Sequence, residues 1–308
     1  MNHLKLIWAR IMEVYQEWDE DDAQTWAASV TFYTTFSLAP LVVLAVAIAG
    51  FVFGEDAARG ELARQLNGIM GSAGAELLQS TIASAGTPGS KSGLIATVVS
   101  LGLLFFGASK VFGELRSALN RIWSVRIDPE ASWKVTVKKK LGGFVMVLSV
   151  GFLLLVAIIL TTFLKAILGF IGGVAEASWF LKTLNFGGSF VVTTLLFGAL
   201  FKYVPDVKIQ WKDVAFGAFW TAVFFTIGKT ALSLYITHGN LGSGYGAASS
   251  LVVLLAWIFY SVQIFFVGAE FTQVHARHHG HKIVPDKHAV MVELHFTKPG
   301  AKTQPPEL

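Results

Sequence analysis

With 308 residues, 54% of them hydrophobic and only 14% charged, the chain has too few charges to cover a soluble protein, for which about 25% is usual. A mean hydropathy of +0.59 points the same way, and a net charge of +4 means that the distribution of charge matters more than its sum. The absence of cysteine excludes disulfides, thiolate metal sites and cysteine nucleophiles.

The expected elements begin with Leu4, Ile7, Trp8, Ile11, Val14, Tyr15 and Trp18, which recur at helical spacing and predict an amphipathic helix. Such a helix lies either in the membrane interface or against the protein's own loops. The acidic stretch Glu17, Asp19, Glu20, Asp21 and Asp22 that ends it is unlike a secretory n-region, so no cleavable signal is expected. Six apolar runs follow: Ala23 to Gly54, Ser92 to Ser109, Leu141 to Leu164, Thr183 to Phe201, Val214 to about Thr237, and about Ala247 to Ala269. Each has at least about the 20 residues that a helix needs to cross the hydrocarbon core, and only helices or closed barrels can do so. The fold class read from this is an all-α polytopic membrane protein with six transmembrane helices.

Between the first two runs, Leu62, Leu66, Ile69 and Met70, then Leu77, Leu78, Thr81 and Ile82, suggest two short amphipathic helices in an outer-face loop, closed by the breaker Thr87-Pro88-Gly89-Ser90. Pro40, with Ser37 and Thr34–Thr35 before it, predicts a kink whose freed carbonyls could line a cavity. Gly239, Gly242, Gly244 and Gly246 read as a permissive turn into the last span. The expected organisation is therefore 1–22 as a cytoplasmic amphipathic helix, 23–274 as the transmembrane domain, and 275–308 as a cytoplasmic tail, poorly ordered after about Val284. With the N-terminus inside, 18 of the 24 lysines and arginines fall in inside segments and five outside, with Lys229 within a span. That asymmetry predicts cytoplasmic termini.

Several short pieces then resemble a known family. Ala27-Ala28-Ser29-Val30-Thr31-Phe32-Tyr33 and Ser37-Leu38-Ala39-Pro40 stand in the first run, and Leu119-Asn120-Arg121-Ile122-Trp123 stands after the second. Tyr203-Val204-Pro205-Asp206 follows the fourth. Gly217-Ala218, Gly228-Lys229 and Tyr235 mark the fifth, and Tyr245-Gly246, Trp257, Tyr260 and Gly268-Ala269-Glu270 mark the sixth. In this order they resemble the YihY/BrkB family of bacterial inner-membrane proteins, whose members once carried the name ribonuclease BN. The resemblance covers about Trp18 to Val274. It implies six spans and the bacterial inner membrane, and its virulence-factor label implies a link to envelope integrity. A lipid-transport role has been suggested for some members, with no settled activity.

Ionisable groups within spans are functional candidates by default. Lys229 lies 16 residues past Asp213, about 24 Å along a helix at ~1.5 Å per residue. It either snorkels to the outer headgroups or faces a cavity where it binds a phosphate or carboxylate. Glu270 closes the sixth run, with Gln263 two turns outward, and Lys110, Glu114 and Arg116 close the second. Glu270 is expected to pair with Lys110 or Arg116, as a structural lock or as a transport gate. The basic stretch holding Arg121, Arg126, Lys138, Lys139 and Lys140, with Trp123 and Trp133 interleaved, is suited to anionic lipid headgroups. Orientation explains these charges without nucleic acid. The acidic run at residues 17–22 and the histidines His275, His278, His279 and His281 are read as a solvated face and a chance cluster; no metal or other cofactor is expected. The partners expected are membrane lipids, with self-association open. Three functions are weighed: a transporter or flippase-like protein for an amphipathic anionic substrate, a non-transporting membrane scaffold, and, least favoured, a nuclease.

Overall fold

A computed structural model describes residues 3–54, 91–130, 178–238, 249–280 and 282–292, with a few isolated positions between them. Among the described residues, helix α1 (His3–Glu20) precedes five long helices: α2 (Ala23–Phe53), α3 (Lys91–Ile122), α4 (Ser178–Tyr203), α5 (Trp211–His238) and α6 (Ser249–His278). At ~1.5 Å per residue, the 31 residues of α2 and the 30 of α6 exceed the roughly 30 Å of a hydrocarbon core. Among the described residues, Phe186–Tyr203, Trp211–Leu232 and Leu251–His278 are long and apolar enough to cross a membrane by length and composition. The expected third run, the outer-loop helices and the glycine turn lie outside the described residues.

Helix α6 is central: α5, α2, α1 and α3 all pack on it, α3 also packs on α2, and α4 packs on α5. The apolar side chains that find no neighbour point outward, among them Leu103 and Phe106 of α3, Leu195 of α4 and Ile227 of α5. Exposed apolar residues on that many helices are what lipid, not water, would cover. Helix α3 outruns its apolar run by more than three turns and α6 by more than two, so both project beyond the apolar layer at the same end.

Two backbones meet closely along α5 and α6. Gly217 of α5 lies under the side chain of Thr272, and Gly268 of α6 lies under that of Thr221. Each threonine returns its hydroxyl to its own helix, Thr221 donating to the Gly217 carbonyl and Thr272 to the Gly268 carbonyl, both at 2.7 Å. The result is a reciprocal small-residue seam in which no hydroxyl is left unpaired. Outward of it, Gly228 admits Ile264 and Tyr260. Farther round, Phe197, Phe201 and Phe265 form an aromatic contact between α4 and α6, with Phe201 and Phe265 centroids 5.0 Å apart. In α2, Pro40 sits inside a continuous helix. The hydroxyls before it are used locally, Thr31, Thr35 and Ser37 bonding the carbonyls four residues back, and Ser37 presses on Gly107 of α3.

The strand content was not foreseen. β1 (Val125–Ile127) pairs antiparallel with β4 (Ala289–Met291), and β2 (Val207–Lys208) pairs with β3 (Val284–Pro285). Residues 284–292, expected to be poorly ordered, are instead tied to the segments that follow α3 and α4. Helix α1 meets the same end of the bundle, running antiparallel to the last turns of α6, since Glu13 reaches His278 and Glu17 reaches Arg277. The described N-terminal and C-terminal segments therefore share one end, called here the strand-bearing end. Between α1 and α2 the helix is interrupted at Asp21–Asp22, where the Asp22 φ of 55° is left-handed, a region Asp tolerates better than most residues.

The seam gives a direct test. Gly268→Val drives two methyl groups into Thr221 and is expected to cost about 1–3 kcal/mol or more, read as a lower Tm and less monodisperse protein in detergent. Gly113→Ala in α3, where a Cβ meets nothing within 4 Å, is expected to be neutral or to gain up to ~1 kcal/mol.

Candidate functional site

Three features meet near the strand-bearing end: a polar joint between the motifs, a set of ion pairs around the α1–α2 turn, and the buried polar face of α6. The joint forms because Asn120, in the last turn of α3, projects toward the turn after α4. Its Nδ2 donates to Asp206 Oδ2 at 2.8 Å, and the Asp206 backbone N–H donates to Asn120 Oδ1 at 2.8 Å. Arg116, one turn earlier, donates from Nε to the Val204 carbonyl at 3.1 Å and stands 4.0 Å from Asp206. The tail closes the joint, with the Asp286 N–H donating to the Asp206 carbonyl at 2.9 Å. Asn120 and Asp206 are both buried, so each supplies the partner that burial of the other requires. Two pieces of sequence singled out for their resemblance to a family thus meet across 86 residues.

The acidic run before α2 is drawn into ion pairs. Asp21 accepts from Arg121 Nε at 3.2 Å, and Arg121 also donates to the Glu20 carbonyl. Glu17 accepts from Arg277 at 2.8 Å, and Glu13 lies 2.7 Å from His278. This accounts for Arg121 without lipid headgroups and for His278 without metal. His275 stacks on Phe216 with centroids 3.8 Å apart. No group of three metal-ligating side chains is found among the described residues. Burial pushes the Asp21 carboxyl up to about 6 from an ordinary 3.8, outweighing the downward pull of Arg121, with repulsion from Glu17 and Glu20 added.

The face of α6 turned away from α5 carries the third feature. Glu270 is completely buried, and neither of its carboxylate oxygens has a hydrogen-bond partner among the described residues. The expected pairing with Arg116 or Lys110 is not found. Arg116 is committed to Val204 and Asp206, and exposed Lys110 lies over the Tyr33 ring at 5.7 Å. Gln263, two turns outward on α6, has a buried Oε1 without a partner among the described residues. It lines a cavity of about 410 Å³ together with Trp18, Gln24, Phe224, Phe259, Tyr260 and others. Glu114 is half-buried on α3, while Lys229 is exposed on α5 and Arg126 on β1. Lys138, Lys139 and Lys140 lie outside the described residues. Of the expected residues that are described, only Gln263 and Glu270 share a face of the bundle interior; Asn120 and Asp206 entered only through the family resemblance, Arg121 as a headgroup candidate and Asp21 within the acidic run, and the pairs they form here were not foreseen.

Two outcomes follow. Asp206→Ala strands the Asn120 amide and is expected to cost about 1–3 kcal/mol, whereas Glu17→Ala removes a part-exposed pair and should cost less than ~1 kcal/mol; thermal unfolding in detergent measures both. The raised Asp21 value means that its stabilising contribution is fully present below about pH 3.8 and lost as pH rises through about 6. Relative to Asp21→Asn, wild type should therefore gain thermal stability as pH falls through this window, and a pH-independent difference would show that Asp21 does not titrate there.

Comparison with known proteins adds the family. Residues 14–291 match the family described as Virulence factor BrkB. A UPF0761 membrane protein of Pseudoalteromonas translucida is 28% identical over 258 residues, covering 82% of this chain and 81% of the relative. Another from Glaesserella parasuis is 35% identical over 86 residues, covering 28% of this chain and 30% of the relative. One from Haemophilus influenzae is 40% identical over 91 residues, 29% of this chain and 34% of the relative. The match to these last two therefore spans about a third of their length. No solved structure matches the chain. An α-helical membrane protein whose matched region runs from within α1 to the end of β4, the chain belongs to the Virulence factor BrkB family.

Proposed function

We propose that this protein is a transporter or flippase-like protein for an amphipathic, anionic substrate such as a lipid. The observation that carries the reading is the cavity of about 410 Å³ beside α6. Its walls are mainly apolar, from Phe224, Phe259, Ile264 and Val267, while Gln24 and Gln263 supply polar groups and Tyr260 also lines it. A chain-like apolar body with a polar head suits such a lining. The anionic preference rests on the basic residues gathered after α3, which attract negatively charged headgroups. Six spans, the bacterial inner membrane, cytoplasmic termini and a role in envelope integrity complete the proposal, supported by the charge asymmetry of the loops and by the family.

One observation favours a scaffold instead. Trp8, Ile11, Met12 and Tyr15 form an exposed apolar face on α1, which a membrane surface or a partner helix would cover. The nuclease reading loses its acidic run, since Glu17 and Asp21 are held by Arg277 and Arg121.

Flux of a fluorescent anionic phospholipid in proteoliposomes tests the first reading. Gln263→Leu is expected to slow flux at least tenfold (about 1.4 kcal/mol), while Lys229→Ala, on the exposed face of α5, should stay near wild type. Intact protein that moves no lipid would transfer the weight to the scaffold.

A further inference from the structure

The fully buried carboxyl of Glu270 calls for an occupant. An ionised carboxylate sealed from water without a donor is strongly disfavoured, and neither oxygen finds one among the described residues. The charged groups facing it are Asp21 and Glu17, from the α1–α2 segment, and Arg277 on its own helix; no charged group of α2, α3, α4 or α5 is among them. Two of the three are acidic. The cations nearby are committed elsewhere, Arg277 to Glu17 at 2.8 Å and to Gln273 at 3.0 Å, and Arg121 to Asp21 at 3.2 Å. Arg277 also lies seven residues from Glu270, about 10 Å along α6. The Glu17, Asp21 and Glu270 side chains are 26%, 11% and 0% exposed in turn, so acidic groups step inward from solvent to the sealed carboxyl. Among the described residues, Arg277 is the cation that faces this carboxyl, and it is held by Glu17 and Gln273.

We propose that Glu270 is the binding site of a small cation, H+ or Na+, that enters past Glu17 and Asp21. Occupancy neutralises the inner carboxyl, and its loss sets three negative groups against one another where α1 turns into α2, loosening that turn from α6. The inference rests on the transport reading only for its role, as the ion that drives or gates movement; the site itself does not require a lipid substrate.

Because Asp21 titrates in the same region, the test is made on full-length protein carrying Asp21→Asn, with and without Glu270→Gln. Thermal stability in detergent is followed against pH in potassium salt, and against Na+ replacing K+ at constant ionic strength, without lipid substrate. With Glu270 present, saturating cation should raise Tm by on the order of 5 °C; with Glu270→Gln the response should vanish. A response to pH alone assigns the proton, and a response to Na+ over K+ assigns sodium. Equal responses with and without Glu270, or none in either, overturn the proposal. Should Glu270→Gln not fold, infrared difference spectra of glutamate-labelled protein on cation exchange give the answer on the unmutated carboxyl: a buried carboxyl band that changes supports it, and an unchanged one overturns it. Titration without lipid flux leaves the site and removes the transport reading; flux without titration does the reverse.

Discussion

The reciprocal seating of Gly217 under Thr272 and Gly268 under Thr221 is the contact on which the arrangement of the bundle depends. Lipid tails are as apolar as leucine, so helices in a bilayer gain little by burying apolar surface against one another, and close packing must supply the attraction. Small residues permit that approach, and the threonine hydroxyls need nothing from the partner helix because they bond carbonyls of their own. With α5 fixed on one side of α6, the opposite side is left for α2 and α1. Phe266, Glu270, Gln273 and Arg277 follow each other along that side at helical spacing. The first three are buried, and Arg277, near the helix end, emerges to meet Glu17. The burial of Glu270 is thus a consequence of packing on both sides of one helix.

A second constraint acts at the strand-bearing end. Helices α3 and α4 are separated by more than fifty residues of chain, yet the last turn of α3 is joined to the turn after α4 by the Asn120–Asp206 pair. The tail then adds one short strand to each following segment, β4 to β1 and β3 to β2. Strands of two or three residues are too short to be stable alone; they persist because α3, α4 and α6 deliver them to the same place. Polar pairs and short ladders at this end complement the small-residue seam within the bundle. The first fix the ends of the helices, and the second fixes their separation.

Much of this was legible in the sequence because the membrane imposes a simple requirement on length and apolarity. The apolar runs anticipate α2, α4 and α5 to within a few residues at most of their ends. They do not anticipate the projecting turns of α3 and α6, where Asn120, Arg121, Gln273 and Arg277 break the apolar pattern without breaking the helix. Residue types alone could not say which charges meet. Glu270 was assigned to Arg116 or Lys110 because all three close apolar runs at one end. Yet α3 carries Arg116 toward Val204 and Asp206, and the acidic groups facing Glu270 come from α1 and the turn after it, a helix read as lying in the membrane interface or against the protein's own loops. The strands were invisible for a related reason: Ala289-Val290-Met291 is an unremarkable tripeptide until its partner, 164 residues earlier, is known.

The position of Glu270 bears on function through what it costs. A leucine or methionine there would fill the same interior without desolvating a carboxyl, and replacing buried charge by well-packed apolar residues is often neutral or stabilising. Packing therefore gives no reason for a glutamate at this point of α6. The outer acids differ, since Glu17 and Asp21 hold Arg277 and Arg121 and thereby bind α1 to α6 and to α3. One acidic set is explained by the fold, and the residue farthest inside is not. Where local chemistry opposes stability with no structural return, a functional site is the expected reason, and here the departure lies on the same helix as the cavity lined by Gln263 and Tyr260. That common helix gives cation occupancy at Glu270 a mechanical route to the cavity, through an element that α1, α2 and α5 all grip.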